Sequence, residues 1–462
     1  MNVTRRLFLK NGGLAIASVG LAPVFGPSFV HNAVYGAAPT AGKRKKTLVC
    51  IFQRGAADGL SMVVPHGDPD LYRLRPVLGV PRPSRGGEGT ALDLDGFFGL
   101  HPALAPFLPI YKEGHLAVVH ACGSPDATRS HFDAQDYMES GTPGSKSAAD
   151  GWLARTVLAC PEDRAKMKSP FRAVALGGNM PRSLQGDANA LAIPDLGSFG
   201  IRDLALGGGG GGRNDRKKGK GSGGGDAMMA RPGAAVPVAA GAASGFETLY
   251  DRAVGDVFHG ASQESFEGIR MLQDRKVNPR SYVPANGARY PNGRFGESLK
   301  QIAQLIKADV GVEVAFAESG GWDTHVNQGA AQGQLASRLT EFGRGVAALY
   351  ADLGDRMSDV VILTMSEFGR TARQNGNNGT DHGHATAFFV LGGDVNGGKV
   401  HGQWPGLGEG QLYQNRDLAL TTDFRAVFGE VALKHLGAKG LQRIFPGYQA
   451  DASAFRGVIK AA

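Results

Sequence analysis

The chain has 462 residues, 42% hydrophobic and 20% charged, with 70 glycines and a formal charge of +8. That is length enough for a large core in one big α/β domain, or for two or three smaller ones. The charge is local: residues 1–38 carry +3 of it, Lys43 to Lys46 carry +4 and residues 207–226 carry +3, so the remainder sits at about −2. A basic nucleic-acid-binding surface is therefore excluded as the meaning of the high pI.

The first element is an address. Arg5 and Arg6 stand directly before Leu7-Phe8-Leu9-Lys10, a weakly apolar run follows from Gly12 to Phe25, and Ala33 to Ala38 supplies the small residues of a cleavage site. Paired arginines in this setting resemble a twin-arginine signal. Residues 1–38 are thus expected to engage the twin-arginine export machinery and be removed, leaving a periplasmic or secreted protein. The apolar run is shorter than the ~20 residues of a membrane span, and no other segment is apolar enough to cross a bilayer.

Thr47 to Phe52 is a continuous apolar run, the pattern of a strand covered on both faces of a parallel sheet. It opens into Gln53-Arg54-Gly55-Ala56-Ala57-Asp58-Gly59, where Asp58 reads either as an ordinary Asp-Gly turn or as a metal ligand at a strand end. Residues 66–100, rich in Pro, Gly and charge, read as a long surface connection, His101 to Lys112 as a short helix and Leu116 to Ala121 as a second strand. Next, Thr128-Arg129-Ser130-His131-Phe132-Asp133 opens a helix that stops at Gly141, with Ser130 at its cap and an acid three positions on. A hydroxyl and an imidazole are thereby held at a helix N-terminus, where unpaired N–H groups favour an anion.

Phe171 to Gly177 is a third expected strand, residues 207–226 a glycine- and lysine-rich disordered insertion, and residues 245–273 and 295–307 helices. Strand 312–317 leads to Gly321-Trp322-Asp323-Thr324-His325. In the following helix Leu335, Leu339, Phe342, Val346, Leu349 and Leu353 recur in steps of four and three, giving one face to a sheet. Strand 360–365 leads to Ser366-Glu367-Phe368-Gly369-Arg370, and Thr380-Asp381-His382-Gly383-His384 precedes strand 386–391 and a closing helix at 424–436. Strands alternating with helices predict a doubly wound α/β sheet. Cys50, Cys122 and Cys160 form no Cys-x-x-Cys pair and read as buried thiols.

Asp323 and His325 are two apart, so in extended backbone both project to one side and could grip one ion; His382 and His384 repeat the spacing. Mixed imidazole and carboxylate donors suit Zn first, then Mn or Fe, with Ca a further candidate. Glu367 follows the C-terminal end of its strand, the edge where open α/β sheets hold ligands. If the strand after His384 runs antiparallel to the others, its beginning shares that edge.

Phe52-Gln53-Arg54-Gly55, Arg129 to Tyr137, Gly321 to His325, Ser366 to Arg370 and Gly379 to Gly383, in this order, resemble the bacterial exported family called domain of unknown function 1501. That family is similar to the alkaline phosphatase and sulfatase superfamily. The resemblance implies a three-layer α/β/α sandwich over residues 47–456, with a mostly parallel sheet and a metal site that hydrolyses phosphate or sulfate esters. By position it implies Asp58 as first ligand, Ser130 as nucleophile (with Thr128 as rival), Asp323 and His325 as a ligand pair, Glu367 in place of an Asp-His pair, and His382 or His384 as the last histidine. Asp381 adds a carboxylate beside them, and His131 and Arg129 flank the hydroxyl as catalytic candidates. Glu367-Phe368 removes an imidazole from a second metal position, and no Cys-x-Pro-Ser-Arg stretch marks a formylglycine sulfatase. The expected function is an exported metal-dependent hydrolase of small anionic esters, with Arg54, Arg129 or Arg370 clamping the anion. The alternative is an inactive exported binding or assembly protein that keeps the scaffold.

Overall fold

The computed structural model describes residues 45–161, 169–198, 267–275 and 277–461. The leader expected at 1–38, the insertion at 207–226 and most of the helix at 245–273 lie outside them; residues 267–274 are helical. All of the elements named below belong to the unit Lys46–Ala462.

In chain order the main elements are β1 (Thr47–Arg54), α1 (Phe107–Lys112), β2 (Leu116–Gly123), α2 (His131–Ser140), α3 (Trp152–Ala159), β3 (Ala173–Ala175) and β4 (Leu191–Ala192). They continue with α4 (Arg294–Lys307), β5 (Val314–Gly320), α5 (Gln334–Leu353), β6 (Val360–Met365), β7 (Thr386–Gly392), β8 (Lys399–His401), β9 (Thr422–Asp423) and α6 (Phe424–Glu430). One sheet holds the strands in the order β8-β2-β7-β6-β1-β5-β3-β4, with β9 also on β2. β1 pairs in parallel with β5 and β6, whereas β7 runs antiparallel to both β2 and β6. The start of β7 therefore lies with the C-terminal ends of β1, β5 and β6.

Alternation along the buried strands divides the core into two layers. Val49 and Ile51 of β1, with Ala315, Ile362 and Phe389, pack under Leu299 and Ile302 of α4 and Leu339, Phe342 and Val346 of α5. Leu48, Cys50 and Phe52, with Phe316, Leu363 and Phe388, meet Trp152 of α3 and Phe424 and Phe428 of α6 on the other face. The result is the three-layer α/β/α sandwich, its sheet mostly parallel. All three cysteines are buried thiols outside any disulfide. Burial pushes the Cys50 and Cys122 thiols up, away from the reactive thiolate. No helix among the described residues is long and apolar enough to cross a membrane.

Residues 66–100 differ from the expected surface connection. They form a short helix, Asp70–Leu74, and two strands of a small antiparallel sheet, and they bury Leu71, Leu74, Val80 and Ala91 against the body. The anchor is Arg75, whose guanidinium is wholly buried on Asp58. The expected helix at 101–112 is divided into a turn at Pro102–Leu104 and α1, as Pro106 and Pro109 require.

Candidate metal centre

Three imidazoles converge at the C-terminal edge of the sheet. Their sources are His131 in the first turn of α2, His325 in the loop after β5 and His382 in the loop before β7. His131 Nε2 and His325 Nε2 each stand 3.0 Å from His382 Nε2. The Asp323 carboxylate reaches all three, its oxygens 3.0 Å from His325 Nε2, 3.2 Å from His382 Nε2 and 3.5 Å from His131 Nε2. Among the described residues, the donor atoms of His131, Asp323 and His382 all lie within 4.8 Å of one another. Asp323 and His325, two apart in sequence, thus bring their side chains together at 3.0 Å.

The far side of each ring is fixed by an acceptor. His131 Nδ1 donates to Glu367 Oε1 at 2.8 Å, His325 Nδ1 to Asp381 Oδ1 at 3.1 Å, and His382 Nδ1 to the Arg129 carbonyl at 2.8 Å. Each acceptor can only take a proton, so each Nδ1 carries one and each Nε2 of a neutral ring presents its lone pair to the others. Lone pairs 3.0 Å apart repel unless positive charge lies between them. This is how outer partners orient histidine ligands for a metal.

Electrostatics reinforce the arrangement. Burial opposes ionisation of Glu367, but hydrogen bonds from His131, Gln135 and the Gly55 N–H hold its carboxyl below the usual range. Burial likewise opposes ionisation of Asp323, and the Arg370 guanidinium at 2.6 Å outweighs it. The hydrogen bond to Glu367 raises the His131 pKa, while burial lowers that of His382.

The two loops can approach only because glycine stands where they touch. A Cβ on Gly379 would lie 2.1 Å from the His325 carbonyl oxygen, and one on Gly383 would lie 2.3 Å from the Arg370 carbonyl carbon. Backbone bonds from Thr371 N to Asp381 O and from Gly383 N to Gly369 O then seat His382 over the cluster.

Other expected site residues stand behind the cluster or apart from it. Glu367 and Asp381 are placed behind His131 and His325 rather than among the inner donors. Asp58 is not brought to the cluster: Arg75 takes both carboxylate oxygens at 2.6 and 3.0 Å, with Ser61 and Gln328 adding bonds. Burial works against its charge and Arg75 more than restores it. His384 is buried and stacked on Tyr413, with ring centroids 4.3 Å apart. Arg129 serves through its carbonyl, its guanidinium being spent on Asp417. Arg54 is likewise spent on Glu139 and Glu318. Ser130 caps α2 without a backbone bond from its side chain, and its hydroxyl interacts with Asp133.

Supporting residues that sequence reasoning misses include Gln135, Gln328, Asn375 and Arg75. Gln135 follows His131 by four on a helix, so its shared face is readable. Gln328 carries no such signal. It donates to Asp58 and accepts from Thr324 and Thr380, and Thr380 in turn accepts from Arg370, so the buried ion pair is tied to the cluster.

A model of the family described as protein of unknown function (DUF1501) matches residues 261–442. That span contains Asp323, His325, Glu367, Asp381 and His382 but not His131. No curated protein matches the chain. Among solved structures, the PsFucS1 sulfatase from Pseudoalteromonas sp. is similar with a TM-score of 0.37 and 13% identity, over 93% of this chain and 77% of that one.

Proposed function

We propose that this chain is an exported metal-dependent hydrolase of phosphate or sulfate esters, with one cation held by His131, His325, His382 and Asp323. The observation that carries the reading is the set of three Nε2 atoms facing one another while every Nδ1 is engaged from behind. Five donor contacts fit such an ion: His131–His382, His325–His382 and the three from Asp323 span 3.0–3.5 Å, against ~3.3 Å between donors around a tetrahedral ion with bonds of ~2.0–2.1 Å, and His131, Asp323 and His382 form the set whose donors all lie within 4.8 Å of one another. Three imidazoles and a carboxylate favour Zn, with Mn or Fe next, over Ca.

When bound, a divalent cation supplies Lewis-acid polarisation of an ester oxygen and lowers the pKa of water. The chain's own groups do the rest. Arg370 pins one oxygen of Asp323 and keeps that carboxylate ionised. Glu367 and Asp381 hold their histidines in the tautomer that leaves Nε2 free. The first N–H groups of α2 have no partner within the helix and lie at His131, where the macrodipole favours a phosphoryl or sulfuryl oxygen. Ser130 is the nucleophile candidate from the chain, with water as its rival. Phe132, 90% exposed directly after His131, offers an apolar surface for the organic part of the ester.

Metal analysis of the purified mature chain, followed by a screen of phosphomonoesters, phosphodiesters and sulfate esters, tests the reading. Stoichiometric metal and turnover abolished by Asp323→Ala in a chain that melts normally is the expected result. Ser130→Ala then separates serine attack, which it abolishes, from water attack, which it spares. Bound metal without turnover on any ester assigns the chain to the binding role, and absence of bound metal refutes the centre itself.

A further inference from the structure

A cavity of about 220 Å³ adjoins the cluster, with Arg373, Arg416, Asn375, Asn415 and Asp381 among its walls. Its chemistry is one-sided. Among the described residues the Arg373 guanidinium makes no hydrogen bond or ion pair. Arg416 reaches Asp417 only at 3.4 Å, and Asp417 is already held by Arg129 at 2.5 Å. Gln374, also in the wall, spends its Oε1 on the N–H groups of Val77 and Leu78, which leaves its amide as a donor. The one carboxylate present, Asp381, turns Oδ1 to His325 and Asn375. Arg373, a loosely paired Arg416 and a spare amide outnumber the single wall carboxylate, which leaves donors over for an oxyanion.

Position links the cavity to the chemistry. Asp381 belongs to both, since the ring it orients, His325, presents Nε2 to the cluster. One carboxylate and one imidazole separate the two.

We infer that this cavity is a second anion subsite, so that the substrate is a multiply charged ester carrying another phosphate or sulfate beside the one cleaved. This rests on the reading of the cluster as an ester-hydrolysing metal centre. Either oxyanion would satisfy the same donors, and the choice of probes distinguishes them.

The test is calorimetric binding to the metal-loaded full chain. A hexose bisphosphate is compared with the matching monophosphate, and a disulfated disaccharide with its monosulfated form. The doubly charged member of one pair should bind about tenfold more tightly or better, and that pair identifies the oxyanion. Arg373→Gln with Arg416→Gln, both partly solvent-exposed and apart from the inner donors, should erase the advantage while leaving metal content and monoanion affinity unchanged. An advantage that survives the double substitution, or an equal loss for both members of the pair, overturns the subsite and leaves the metal centre standing. A chain that takes up no metal overturns both, and shows itself before any variant is compared.

Discussion

Glu367→Gln is the sharpest probe of the centre, because Glu367 does not belong to the inner donors. Its side chain is fully buried, and Oε1 accepts from Gly55 N at 2.8 Å, His131 Nδ1 at 2.8 Å and Gln135 Nε2 at 2.9 Å. A glutamine carbonyl can keep those three bonds, and its amide can donate to Ser366 Oγ, so the fold is preserved. What disappears is the negative charge behind the His131 ring. Partners of this kind contribute about 10- to 100-fold in metal affinity, or roughly 1.4–2.7 kcal/mol. Asp381 plays the same part for His325, but its side chain is 49% exposed, where solvent screens it. Asp381→Asn should therefore cost only a few-fold. Competition against a chromophoric chelator, with melting temperature as a check on folding, measures both. Wild-type affinity in Glu367→Gln, or a larger loss in Asp381→Asn, would refute the outer-partner argument.

Four further outcomes are expected. Arg75→Met leaves the Asp58 carboxylate buried without its partner and should destabilise the chain by about 3–5 kcal/mol in urea unfolding; Asp58→Asn should leave metal stoichiometry intact, and lost metal there would return Asp58 to the ligands. Gly383→Ala drives a Cβ to 2.3 Å from the Arg370 carbonyl carbon, and overpacking of about 1–3 kcal/mol should appear as weaker metal binding with unchanged helix content by circular dichroism. The His435 hydrogen bond, with Lys46, holds Asp394 down at about 2 from 3.8, so its contribution is present above about pH 4 and fades as pH falls through about 2. Partial exposure discounts it to roughly 1–2 kcal/mol. The stability gap between wild type and Asp394→Asn should close over that acid range, and a constant gap would count against the ion pair.

Local pattern alone determined the layers. Strands apolar on both faces, as in Thr47 to Phe52, and the four-and-three stripe of Leu335 to Leu353 leave an α/β sheet with helices on each side as their natural burial. It also marked short stretches that converge at one edge of the sheet, and the two-residue spacing places Asp323 and His325 side by side because it is a property of neighbouring backbone. The division of labour among those residues was decided only in three dimensions. Whether Glu367 would touch an ion or stand behind His131 depends on a residue 236 positions away. Asp58 could be read as a turn residue or as a ligand, and Arg75, from a segment read as mere connection, holds its charge. His382 reaches the cluster because β7 runs opposite to its neighbours, while His384 turns to Tyr413. The physical reason is common to all of these: a carboxylate or imidazole takes its role from the nearest opposite charge or donor, and sheet order brings that partner from far along the chain.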